Sequence, residues 1–138
     1  MKIQLKRLNS AAHLEATNEA GNKIAIDGSP AVGGQDLGFR PMQLMLAALG
    51  SCSTMDVINI LNKQKQDLKD IEIEVNGERE QGVEPSLFRD IKVHFKLFGN
   101  VDPDKAKRAI DLSMTKYCSV AKTLEATAKI EYDFEIVS

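Results

Sequence analysis

The sequence predicts an α+β fold in the order βββ-α-ββ-α-α-β, with a largely antiparallel sheet packed on one long central helix and residues 1–138 forming a single domain. Three observations carry this expectation. The run from Pro41 to Met55 is uncharged, and Leu44 through Leu49 leave it no polar face, the mark of a helix buried on all sides. Ile130, Tyr132, Phe134 and Ile136 alternate with Lys129, Glu131, Asp133 and Glu135, as a half-buried strand does. Asp102-Pro103 joins a capping side chain to a proline at the first helical position, where its missing N–H costs nothing.

The remaining elements follow in order. Residues 2–8 alternate Ile3 and Leu5 with Lys2, Gln4 and Lys6, giving a first strand. Asn9-Ser10 reads as a turn, Ala11–Thr17 as a weaker strand, Asn18–Gly21 as another turn and Lys23–Asp27 as a third strand. Gly28–Gly38 is rich in breakers and forms a loop long enough to weigh a functional role against a plain crossover. Pro41 opens the long helix, which runs to about Gln66, where Lys63–Asp67 turns polar. Ile71, Ile73 and Val75 mark strand four, Gly82–Pro85 a turn, and Ile91, Val93, Phe95 and Leu97 strand five. The second helix buries Ala106, Ala109, Ile110, Ser113, Met114 and Tyr117, and a short helical piece spans Ser119–Glu125.

A helix of about 25 residues is roughly 38 Å long, and one small sheet covers only one of its sides. A second copy of the chain is the economical cover for the other, so a homodimer is expected. The formal charge of −2, with no Lys/Arg-rich run, argues against nucleic acid as a partner. The uncharged run is shorter than the roughly 20 residues a bilayer needs, so no membrane span is expected. The start lacks a signal-peptide pattern, and a cytoplasmic location is expected. In a reducing compartment two cysteines are not a permanent staple; they are buried hydrophobes or chemistry.

Cys52 sits in the middle of the long helix, with Ala48, Leu49, Met55 and Asp56 at spacings that share its face. It is either a small core hydrophobe or a reactive thiol. Cys118 lies where the second helix either continues, packing the thiol beside Met114, or breaks before Ser119. In the second case it stands at a helix N-terminus, where free N–H groups stabilise a thiolate. The two cysteines are too far apart for a local metal knuckle, and His13 and His94 show no ligand spacing, so no metal is expected. Ser119-x-x-Lys122 matches a serine–lysine dyad only formally, because its companion motifs are absent. Gly33-Gly34 lacks the context of a phosphate loop.

Pro41-Met-Gln-Leu-Met-Leu-Ala-Ala-Leu-Gly-Ser-Cys52 resembles the first-cysteine helix of the OsmC/Ohr family of organic hydroperoxide reductases. Lys116-Tyr-Cys-Ser-Val-Ala-Lys-Thr-Leu124 resembles its second-cysteine motif, and Gly50-Ser-Cys-Ser-Thr-Met-Asp-Val57 is closest to its YhfA-like branch. The order of elements agrees, so the resemblance spans essentially the whole chain. It implies an OsmC-like fold, an intertwined homodimer with the thiols at the subunit interface, and no cofactor. Cys52 is then the peroxidatic thiolate and Cys118 the resolving thiol of a peroxidase acting on organic hydroperoxides in oxidative-stress defence. Such a cycle runs through a sulfenic acid and a disulfide, which an external dithiol must reduce.

The sequence departs from the better-studied peroxidases at one place. Their glutamate after the helix-opening proline, paired with an arginine, is replaced by the neutral Met42 and Gln43, and no arginine stands in Ala11–Thr17. Arg40 or Arg7 is the candidate replacement, though each reads first as a surface or loop cation, and Asp56 either orients a cation or repels the thiolate. Two rivals therefore stand beside the peroxidase: a non-catalytic dimer binding an apolar small molecule between subunits, and a structural dimer with redox-inert cysteines.

Overall fold

The computed structural model describes residues 1–138. The chain runs through β1 (Ile3–Arg7), β2 (Leu14–Asn18), β3 (Lys23–Ile26), a 3-10 turn (Pro30–Val32), α1 (Pro41–Lys63), β4 (Asp67–Arg79) and β5 (Phe88–Asn100). It ends with α2 (Pro103–Leu112), a π-helical turn (Ser113–Tyr117), α3 (Ser119–Leu124) and β6 (Lys129–Val137). The order is the one expected. The strands, however, form two three-stranded sheets, β1-β2-β3 and β4-β5-β6, and β6 joins β5 in parallel while every other pairing is antiparallel. The parallel pair follows from the long connection through α2 and α3, which returns the chain to the end where β5 began. The chain divides into two compact units, Met1–Met45 and Leu46–Ser138.

In the first unit the loop after β3 is built around one carboxylate. Asp27 is 2% exposed and accepts N–H bonds from Gly28 (2.7 Å), Gln35 (3.1 Å) and Leu37 (3.2 Å). Burial alone would raise its pKa; the three backbone donors outweigh burial and hold the carboxyl below its ordinary value. The loop folds back so tightly that a Cβ on Gly34 would stand 2.0 Å from the Gly28 carbonyl oxygen. Beyond it, Phe39 donates to the Ala25 carbonyl and accepts from the Asp27 N–H, laying the entry to α1 alongside β3. The half-buried face expected for β1 is not covered: all five of its residues are exposed, including Ile3 and Leu5.

In the second unit α1 rests on the sheet by a stripe, not on all sides. Leu49, Ser53, Val57 and Leu61, four residues apart, are buried together with Gly50, whereas Met55 is 64% exposed. Within the chain the sheet covers one side of α1, as expected, and leaves the Met55 side uncovered. Gly50 sets the approach, since a Cβ there would lie 3.0 Å from Val75 Cγ2 on β4. By length and composition alone α1 would qualify to cross a bilayer, which the shorter uncharged run does not suggest, and within the chain it packs one face on the sheet. It also ends earlier than expected. Lys65 adopts a left-handed φ of +56°, with Gln66 N–H bonded to Leu61 O and Lys65 N–H to Asn62 O. That is a Schellman stop made without the glycine that normally announces it.

Across the sheet, Ile91, Val93, Phe95 and Leu97 of β5 are all at most 1% exposed and alternate with Lys92, His94 and Lys96. Asp102 caps α2 as expected by accepting from Lys105 N–H at 3.0 Å, with Ala106, Ala109 and Ile110 buried below. Tyr132 of β6 donates to Asp111 of α2 at 3.0 Å, which fixes the helix over the strand.

Candidate functional site

Cys52 and Asp56 lie one turn apart on the same face of α1, and both are half-buried. Cys118 reaches them because the helix that starts at Pro103 does not continue as an α-helix. From Ser113 it widens into the π-helical turn, closed by the Cys118 N–H on the Ser113 carbonyl at 2.8 Å. Such single-turn widenings recur at functional sites. Cys118 then takes an extended conformation, φ −73° and ψ 106°, and caps α3 through an Ala121 N–H bond to its sulfur at 3.4 Å. Of the two readings left open for Cys118, the helix break is the one that forms.

The two sulfurs and a carboxylate oxygen of Asp56 lie within 4.8 Å of one another, and both cysteines are free. The buried Ser113 hydroxyl donates to Asp56 Oδ2 at 2.9 Å and stands 3.3 Å from the Ser53 carbonyl, holding the carboxylate in place. Cys118 is 0% exposed, and burial, reinforced by the neighbouring Cys52, pushes its thiol up to about 11 from an ordinary 9.0. The N–H groups of Ala121 and Val120 work the other way and lose. A stabilised Cys118 thiolate, one of the expectations from a helix start, is therefore not what the fold provides. At neutral pH this sulfur keeps its proton.

The other residues singled out from the sequence have local duties. Arg40 Nη2 pairs with Asp36 at 3.0 Å. Gln43 reaches back to accept the Arg40 N–H at 3.0 Å, which is half of a capping box at the start of α1. Arg7 donates to the carbonyls of Ala11 and Ser10. Ser113 escaped the sequence reading as anything but a core position of the second helix; the signal was a serine on an otherwise apolar face. A shallow recess of about 300 Å³, lined by residues including Lys92, His94, Glu131 and Asp133, lies on the charged side of the β4–β6 sheet and includes no member of the thiol cluster.

A long core helix and a short capped helix presenting two thiols to each other define an OsmC-like protein. The chain belongs to that family, whose model matches residues 33–133. Protein YhfA of Escherichia coli strain K12 is 40% identical to it over 120 residues, 86% of either chain. A hypothetical protein from Aquifex aeolicus VF5 shares the fold with a TM-score of 0.81 and 29% identity, over 99% of this chain and 97% of the other. An organic hydroperoxide resistance protein OsmC from Legionella pneumophila is similar in fold, with a TM-score of 0.72 at 17% identity over 98% and 97% of the two chains.

Proposed function

We propose that the chain is a thiol-dependent peroxidase that reduces organic hydroperoxides, with Cys52 as the peroxidatic and Cys118 as the resolving residue. The observation that carries this reading is the convergence of the two sulfurs, one half-buried and reachable, the other buried and protonated. The Cys52 thiolate attacks the hydroperoxide, the O–O bond breaks, the alcohol leaves with a proton, and Cys52 becomes a sulfenic acid. Cys118 then gives up its proton and attacks that sulfur, water leaves, and a disulfide remains. The sulfurs must close from within 4.8 Å to about 2 Å, a side-chain movement. An external dithiol returns the pair to the reduced state by exchange.

The cycle is proposed to run in the cytoplasm and in a homodimer. The exposed Met45, Met55 and Tyr117, and Ile3, Leu5, Ile24 and Phe39 of the β1–β3 unit, are the apolar surface a second copy would cover. Covering Met55, three residues from Cys52, and Tyr117, next to Cys118, would surround the thiols with apolar groups and favour a fatty or aromatic hydroperoxide over hydrogen peroxide. Cys52→Ser is expected to abolish peroxide consumption, while Cys118→Ser performs at most one turnover and forms no intramolecular disulfide. Equal consumption by wild type and Cys52→Ser disposes of the proposal. The rival, a non-catalytic dimer that binds an apolar small molecule, draws on the engagement of Arg40 with Asp36. A fatty-acid affinity unchanged by loss of both thiols would favour it.

A further inference from the structure

The thiol cluster is also a donor set of a kind that local sequence spacing conceals. Two thiols and a carboxylate, all within 4.8 Å of one another, come from α1 at positions 52 and 56 and from the cap of α3 at 118. The pair on α1 has the four-residue spacing by which one helix face presents two ligands to one ion. Around a tetrahedral Zn²⁺, sulfur at about 2.3 Å and oxygen at about 2.1 Å place neighbouring donors roughly 3.5–3.8 Å apart. The cluster needs to contract by no more than about 1.0–1.3 Å to reach that geometry.

The surroundings are those of a supported site. Ser113 fixes one Asp56 oxygen at 2.9 Å and leaves the carboxylate spare lone pairs, and the Ala121 N–H orients the Cys118 sulfur. Cys52 is half-buried rather than sealed, which provides an entry path. Two sulfur donors in three favour a thiophilic cation and disfavour Mg²⁺ or Ca²⁺.

We propose that the reduced protein binds one thiophilic divalent cation per chain, of the Zn²⁺ class, through Cys52, Cys118 and Asp56, with a fourth position left to water or an outside ligand. Each thiol releases its proton as its metal–sulfur bond forms. A Cys52–Cys118 disulfide removes both thiolate ligands, so the metal-bound and oxidised forms exclude each other, and a bound ion shields both sulfurs from peroxide. The inference uses the residues of the proposed peroxidase but needs no turnover, so the two stand or fall separately.

The test is an anaerobic titration of reduced, metal-free, full-length protein with Cd²⁺, followed by the thiolate-to-cadmium charge-transfer absorbance, and with Zn²⁺ by calorimetry. The band should saturate at one Cd²⁺ per chain. Cys52→Ser should halve its amplitude and weaken binding more than a hundredfold. Asp56→Asn should keep the amplitude and weaken Zn²⁺ binding at least tenfold, and circular dichroism reports whether each variant is folded. In wild type, Zn²⁺ should slow alkylation of Cys52 at least tenfold, and a chelator should restore the rate. The site is ruled out by a band that never saturates, by saturation at one ion per two chains, or by Zn²⁺ affinity unchanged in Asp56→Asn. Saturable binding without peroxide consumption would overturn the peroxidase alone; peroxide consumption without saturable binding would overturn the metal site alone.

Discussion

Asp27 and Asp56 are both carboxylates withdrawn from water, one in each compact unit, and their surroundings give them opposite uses. Asp27 spends its oxygens on three backbone N–H groups and closes the Gly28–Gly38 loop. Asp56 receives one hydroxyl, from Ser113, and faces two thiols with lone pairs to spare. A carboxylate whose acceptor capacity is taken up by the main chain is architecture. One left partly unspent beside polarizable, ionisable groups is available to a proton or a cation.

The contrast can be tested from both ends. The largest effect on stability is expected at Asp27. Asp27→Ala strands three backbone donors, and it should lower the thermal midpoint by roughly 5 °C or more and speed proteolysis within residues 28–38. Because the folded-state pKa of Asp27 lies below its ordinary 3.8, its contribution is complete above that value. It is lost as pH falls through the lower folded-state pKa, and the variant's acid limb should be correspondingly flatter. A loop equally protected in wild type and Asp27→Ala would erase the distinction. Ser113→Ala comes next. It should cost about 1 kcal/mol in urea unfolding, because Asp56 loses its only side-chain donor. A cost near zero would mean that water serves Asp56 as well as Ser113 does.

Asp56→Asn should change stability by less than about 0.5 kcal/mol, since the amide oxygen still accepts from Ser113. The same variant should slow disulfide formation after one equivalent of hydroperoxide about tenfold, as the carboxylate lies within 4.8 Å of both sulfurs and can take up the Cys118 proton. A large loss of stability without a change in thiol chemistry would move Asp56 into the same class as Asp27. The smallest effect is at the half-buried His94. Its bond to Asp133 at 2.6 Å, helped by Glu135, raises its pKa above 6.5. Its contribution is therefore complete below pH 6.5 and lost as pH rises through the raised value. His94→Gln should remove that slope from stability measured between about pH 6 and 8.

What could be read from the sequence alone was local. Alternation named the strands, Asp102-Pro103 and Pro41 named the helix starts, and Gly82–Pro85 named the turn, because each depends on neighbours within a few residues. α1 ends before the expected Gln66, because Lys65 occupies the left-handed position where a glycine is the usual sign. Arg40 and Gln43 drew attention as charged or polar groups near the thiol helix, and only their partners, Asp36 and the Arg40 N–H, show the work they do.

The sequence by itself determined the elements, their order and the presence of two thiols in helical settings. Tertiary structure alone decided that β6 enters beside β5 in parallel, that six strands divide into two sheets, and that Ser113 holds Asp56. It also decided that Cys52, Asp56 and Cys118 meet. The reason is physical: periodicity and capping are set by the few residues on either side. Which strand finds which edge, and which side chains converge, is settled only when distant segments compete to bury the same apolar surface.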